Sequence, residues 1–153
     1  MRCFVTLAAL LLLSCSGGGE PKISAADGWT REVAPGQSVA AAYVVISNRG
    51  DGSDKLIGAE SPAAAEATLH SSSSGDGVAR MRRIDDGVEI AAHSTIAFKP
   101  GGNHIMLTGL KQPLRAGQTV QLVLVFDKFP KQETAVRILP ASASDGHAHG
   151  MEM

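Results

Sequence analysis

Short runs of apolar and β-branched residues, each cut off by Gly, Pro, Asn, Asp or Ser, recur along most of this chain. That punctuation predicts strands at Val39 to Ser47, Lys55 to Glu60, Ala65 to His70, Val78 to Arg83, Thr95 to Phe98, His104 to Leu110, Thr119 to Phe126 and Thr134 to Leu139. A weaker strand is expected near Ile23, before Trp29. Turns are expected at Asn48-Arg49-Gly50-Asp51-Gly52, Asp85-Asp86-Gly87, Pro100-Gly101-Gly102-Asn103 and Arg115-Ala116-Gly117-Gln118. No segment of helix length sustains a 3.6-residue apolar period. In the run Thr119 to Phe126, Val120, Leu122, Leu124 and Phe126 share one face. Val123 and Val125 make the other face apolar too, which predicts a central strand covered on both sides. Eight or nine strands at this spacing give an all-β fold, a β-sandwich.

The two ends do not fit that pattern. Arg2 followed by the apolar stretch Phe4 to Leu13 reads as a signal segment too short to cross a bilayer as a mature helix. It ends Leu12-Leu13-Ser14-Cys15, which resembles the bacterial lipobox, so residues 1–14 are expected to be removed and Cys15 lipidated. An ordinary secretory signal with a coincidental cysteine is the alternative. More than one acyl chain at Cys15 gives stable anchoring on the periplasmic side of the cell envelope. Ser16 stands where an Asp usually retains such proteins at the inner membrane, which points to the outer membrane if the host is Gram-negative. Residues 15–21 then form a Gly-rich flexible tether, 22–140 the folded domain, and 141–153 a disordered His/Met-rich tail.

Composition narrows the chemistry by exclusion. The chain has two cysteines, Cys3 in the signal and Cys15 at the lipidation point, so the mature domain has no thiol. It can form no disulfide, and it cannot build a blue-copper centre, which needs a thiolate. With 14 basic against 15 acidic residues and no basic tract, nothing suits nucleic-acid binding. The serines at 71–74 lack a His/Asp context, no Gly-x-Ser-x-Gly elbow occurs and no carboxylate pair is placed for acid–base work. An enzyme is not expected.

What remains is a pairing of methionine with histidine. Met106 lies two residues after His104, Met81 follows His70 with ten residues between, and Met151 and Met153 follow His147 and His149. Thioether and imidazole are soft and borderline donors, a mixture that favours Cu(I) over zinc, magnesium or calcium. In His104-Ile105-Met106-Leu107 the strand period puts His104 and Met106 on one face and Ile105 and Leu107 on the other. A hairpin joining the strands that carry His70 and Met81 would bring those two to neighbouring positions at a sheet edge. His93 reads as a solvated loop histidine, and Arg80, Arg82 and Arg83 as a solvated strand face, with a docking patch for an acidic partner as the alternative. In the tail, His147, His149, Met151 and Met153 are expected to hold a second copper, with Cu(II) on the imidazoles, or to shuttle metal to the main site; a metal-free terminus is the bland alternative.

The stretch from Leu69 to Leu124 resembles the periplasmic copper chaperone family PCu(A)C. The likeness rests on His70, Met81 and His104-Ile105-Met106, on Phe98 to Leu107, and on Gly109-Leu110-Lys111-Gln112-Pro113-Leu114. Upstream, Trp29-Thr30-Arg31, Ala42 to Asn48 and Asp54-Lys55-Leu56 also fit. The chain departs from the family in having Ser71, where many members have a Met beside the first His, and in a longer segment between Met81 and His104. The resemblance implies a cupredoxin-like Greek-key β-sandwich in which His70, Met81, His104 and Met106 bind one Cu(I). It implies delivery to a copper acceptor in the cell envelope, such as cytochrome c oxidase subunit II or a Sco-type protein, in cytochrome c oxidase assembly. A copper-sequestering or resistance lipoprotein with no dedicated client is the competing function.

Overall fold

The computed structural model describes residues 18–143 and contains ten strands and no helix among them. They are β1 (Ile23–Arg31), β2 (Val39–Asn48), β3 (Asp54–Glu60), β4 (Ala64–Gly75), β5 (Val78–Arg83), β6 (Val88–Ile90), β7 (Ser94–Ala97), β8 (Asn103–Leu110), β9 (Thr119–Phe126) and β10 (Gln132–Leu139). Hydrogen bonding joins them in the order β5-β4-β8-β2-β1-β10-β9-β3-β6, with β7 on β2. A further pairing of β3 with β4 at Ala59 and Ala67 closes the sheet into a barrel-like form. Neighbours such as β4 and β8, or β1 and β10, are far apart in sequence, as long Greek-key connections require. Closure leaves few open edges, and β5 is one of them.

Alternation sorts the chain into inside and outside. Ala42, Val44 and Ile46 of β2, Leu69 of β4, Ile105 and Leu107 of β8, Leu122 and Leu124 of β9, and Val136 and Ile138 of β10 fill the interior. The strand expected to be covered on both faces is covered on one. Leu122, Leu124 and Phe126 are buried, whereas Val123 and Val125 lie half-buried on the outside of the barrel. Two buried polar side chains hold the connections. Asn48 accepts the backbone N–H groups of Lys22 and Gly50 on Oδ1 and donates from Nδ2 to the carbonyls of Gly52, Ile90 and Ala91. Asp54 accepts N–H groups from Lys55, Lys128 and Phe129.

The structure departs from the expected elements in three places. The strand expected to end at His70 runs on through the serines, and β4 continues to Gly75. The turn to β5 is only Asp76-Gly77, with φ of 52° and 76°, the left-handed pair of a type I′ hairpin. Serine's weak strand preference hid the segment, whereas the Asp-Gly signal fixes its register. The strand near Ile23 is a full nine residues, and the short β6 was not expected at all.

Candidate metal centre

Three adjacent strands build the site, and register decides which side chains meet. In the β4–β8 ladder His70 lies directly opposite His104 and Thr68 opposite Met106; in the β4–β5 ladder Ser72 lies opposite Met81. Residues paired across a ladder project from the same face, and so do residues two apart along a strand. His70, Met81, His104 and Met106 therefore share one face of the sheet, on the outside of the barrel. Leu69, Ile105 and Leu107 point the other way, into the core. Met81 is diagonal to His70, the neighbouring edge position expected of the hairpin. All four sequence-predicted residues lie on that face, on three adjacent strands.

Their surroundings differ in depth. His104 is 3% exposed, Met106 and His70 are half-buried, and Met81, on the edge strand, is 56% exposed. The two imidazoles lie 5.8 Å apart between ring centroids and nearly parallel, at 29°. Tyr43 flanks His104 at 6.4 Å, and Trp29 packs on Tyr43 at 4.4 Å. Arg31 lies over the Trp29 ring at 5.7 Å, so the row His70–His104–Tyr43–Trp29 crosses four strands on one face.

Hydrogen bonds leave one nitrogen of each imidazole bare. His104 Nδ1 lies 3.2 Å from the Gly102 carbonyl oxygen, which can only accept, so Nδ1 carries the proton and Nε2 keeps its lone pair. The same carbonyl accepts the Ser72 N–H at 3.0 Å, tying the Pro100–Asn103 turn to β4. His70 Nε2 lies 3.0 Å from Thr68 Oγ1. His70 Nδ1 and His104 Nε2 are buried and have no hydrogen-bond partner. Burial pushes the His70 imidazolium below its ordinary pKa, helped by the neighbouring His104 and Arg83; Asp85 and Glu66 oppose the shift. Arg83 is paired with Asp85 at 2.8 Å and Glu66 at 3.4 Å.

Two bare nitrogens in a place where an unsatisfied polar atom is costly, on the face that also bears two thioethers, are the donor chemistry that suits a monovalent soft cation. No group of three or more His, Cys, Asp or Glu occurs among the described residues, so no zinc- or calcium-type cluster competes with it. His93 stands apart on the surface, its Nε2 2.8 Å from Asp51. Cys15 and the tail residues His147, His149, Met151 and Met153 lie outside the described residues. Reading from sequence did not assign Thr68 or the Gly102 carbonyl to the site. Strand parity was the available signal for Thr68, which sits two residues before His70 on the same face.

An all-β cupredoxin-like domain with a His/Met cluster on its outer face is the class that fold and site define. The chain belongs to the LpqE-like family of lipoproteins, whose model matches residues 23–138. It is 36% identical over 117 residues to Lxx21020 of Leifsonia xyli subsp. xyli, a protein named as a lipoprotein, covering 76% of this chain and 70% of that one. Among solved structures it is similar to CuI-DR1885 from Deinococcus radiodurans, with 30% identity, a TM-score of 0.59, and 73% of this chain and 74% of that one covered. The copper-bound PCuAC domain from PmoF2 superposes with a TM-score of 0.66 at 24% identity, covering 78% of this chain and 93% of that domain, a likeness of fold. The PCu(A)C resemblance seen in the sequence and the cupredoxin-like architecture both hold.

Proposed function

We propose that this protein is a lipid-anchored copper chaperone that binds one Cu(I) through His70, Met81, His104 and Met106 and hands it to an acceptor in the cell envelope. The observation that carries the reading is the pair of buried, unpartnered nitrogens, His70 Nδ1 and His104 Nε2, on the face that also bears Met81 and Met106. The copper-bound relatives of the same fold support it. All four donors are uncharged, so they hold Cu(I) less tightly than thiolates would, and a Cys-rich acceptor can withdraw the ion. Met81 is the exposed ligand and the natural first point of exchange.

Cytochrome c oxidase subunit II, directly or through a Sco-type protein, is the proposed destination. Lipidation at Cys15 would hold the domain on the periplasmic side of the envelope, and the tail with His147, His149, Met151 and Met153 would carry a second copper, Cu(II) if held through the imidazoles. Competition of the purified protein against a Cu(I) chelator under reducing conditions tests the main site. One Cu(I) should bind without any tail residue, and Met106→Leu should weaken binding at least about tenfold, since losing even a hydrogen-bonded partner of a ligand typically costs that much. Ser71→Ala should leave it unchanged, because Ser71 lies on the opposite face of β4 from His70. Equal affinities across wild type, Met106→Leu and His104→Ala would end the proposal. Loss of oxidase activity on gene deletion under copper limitation supports delivery; a phenotype confined to copper excess makes the protein a buffer.

A further inference from the structure

The two histidines at the site are held by different atoms. The Gly102 carbonyl fixes the His104 proton on Nδ1, so His104 presents Nε2. The contact on His70 is made at the other nitrogen, Nε2, by the Thr68 hydroxyl at 3.0 Å, and the buried, partnerless atom is Nδ1. A carbonyl dictates the tautomer of its histidine, but a hydroxyl can donate or accept. If the Thr68 hydroxyl donated to Nε2, the His70 proton would sit on Nδ1, buried without an acceptor and blocking any ion. If it accepts, Nε2 carries the proton and Nδ1 offers a lone pair.

We propose that Thr68 is the positioning residue of the site: its hydroxyl accepts from His70 Nε2–H, so that His70 binds copper through Nδ1 while His104 binds through Nε2. The inference rests on the copper reading above but extends it to an assignment of atoms. Strand geometry supplies the means. Thr68 and His70 are two apart on β4 and share its outer face, and Thr68 stands directly opposite Met106. Its β-branched side chain has few rotamers, so the hydroxyl is held in place without a dedicated partner. A ligand histidine whose second nitrogen is hydrogen-bonded keeps both tautomer and ring orientation, and loss of such a partner typically lowers metal affinity about 10–100-fold.

The test uses the full-length protein, first without metal. Long-range proton–nitrogen correlation NMR of the imidazole rings should show His70 with its proton on Nε2 and His104 with its proton on Nδ1. Thr68→Val keeps the shape and removes the hydroxyl; His70 should then populate both tautomers, and Cu(I) affinity should fall about 10–100-fold in chelator competition. Thr68→Ser should restore both readouts. A wild-type His70 protonated on Nδ1 overturns the inference, and so does a Thr68→Val protein with wild-type tautomer, whatever its affinity. The tautomer readout needs no copper, so failure of the copper proposal and failure of this one are separate results.

Discussion

His104→Leu should make the metal-free protein more stable while abolishing its site. His104 is 3% exposed, and its Nε2 is buried without a partner, so the apo fold carries the desolvation cost of that atom, about 1–3 kcal/mol. Leucine removes the cost and fills a comparable space beside Tyr43 and His70. It also removes the bond from Nδ1 to the Gly102 carbonyl, worth about 0.5–1.5 kcal/mol. That carbonyl is not orphaned, because it still accepts the Ser72 N–H at 3.0 Å. The difference leaves a gain of about 1 kcal/mol, a rise of about 4 °C in Tm for a domain of this size. Cu(I) should reverse the order. At a free concentration of about 100 times Kd it stabilises the wild type by about 2.7 kcal/mol and the variant not at all. Thermal and urea melts followed by circular dichroism, with and without Cu(I) in reductant, measure both arms. An apo His104→Leu protein destabilised by more than about 1 kcal/mol would refute the claim that the bare nitrogen is a standing cost.

Two further outcomes follow from the geometry. The folded His70 pKa is lowered from 6.5 by burial, by His104 and by Arg83, so protonation of His70 should compete with Cu(I) at lower pH than it would for an exposed imidazole. The sign for the apo protein is the same: the unfolded chain binds the proton first, so the His70 contribution to stability is complete above 6.5 and is lost as pH falls through the lower folded value. NMR titration of the His70 ring and urea midpoints across the acid range check both, and a His70 midpoint above 6.5 would contradict the burial argument. Asn48→Ala should cost about 3 kcal/mol in urea unfolding, since five hydrogen bonds converge on one buried amide; a loss under about 1 kcal/mol would mean that water replaces them.

The parts legible in the sequence were those governed by a strict period or a strong turn signal. Val78 to Arg83 and Thr119 to Phe126 have their expected limits, because Gly77 and Gly87 lie in the turns on either side of the first and Gly117 and Pro130 bracket the second. His104 and Met106 fall on one face by sequence alone, since a period of two admits no other arrangement. The end of β4 lies beyond the expected His70 because the strand character of the serine run comes from pairing with β5, not from the residues themselves. The outer exposure of Val123 and Val125 was hidden for a related reason. Whether an apolar face is covered depends on how the sheet closes, and the β3–β4 closure rests on a single ladder pair of small residues, Ala59 and Ala67. The hydrogen bonds of the site were out of sight for a third reason: the bare nitrogens are defined by what Thr68 and Gly102 do to the other end of each ring.

The gradient of exposure across the site separates holding an ion from releasing it. His104 lies deep, fixed through Gly102 to the turn that starts β8, and backed by Tyr43 and Trp29. A ligand so fixed loses little freedom on binding copper and contributes affinity and position. Met81 is the opposite case. It sits on an open edge strand whose six residues are all exposed, carries a flexible thioether, and is joined to the barrel through β4 alone. In the proposed site its bond to the ion would be the least costly to break and, on the open edge, the most accessible to an incoming acceptor. An acceptor thiolate would therefore displace Met81 first and the two histidines last, so replacing Met81 should change the rate of transfer more than the equilibrium affinity, and replacing His104 the reverse.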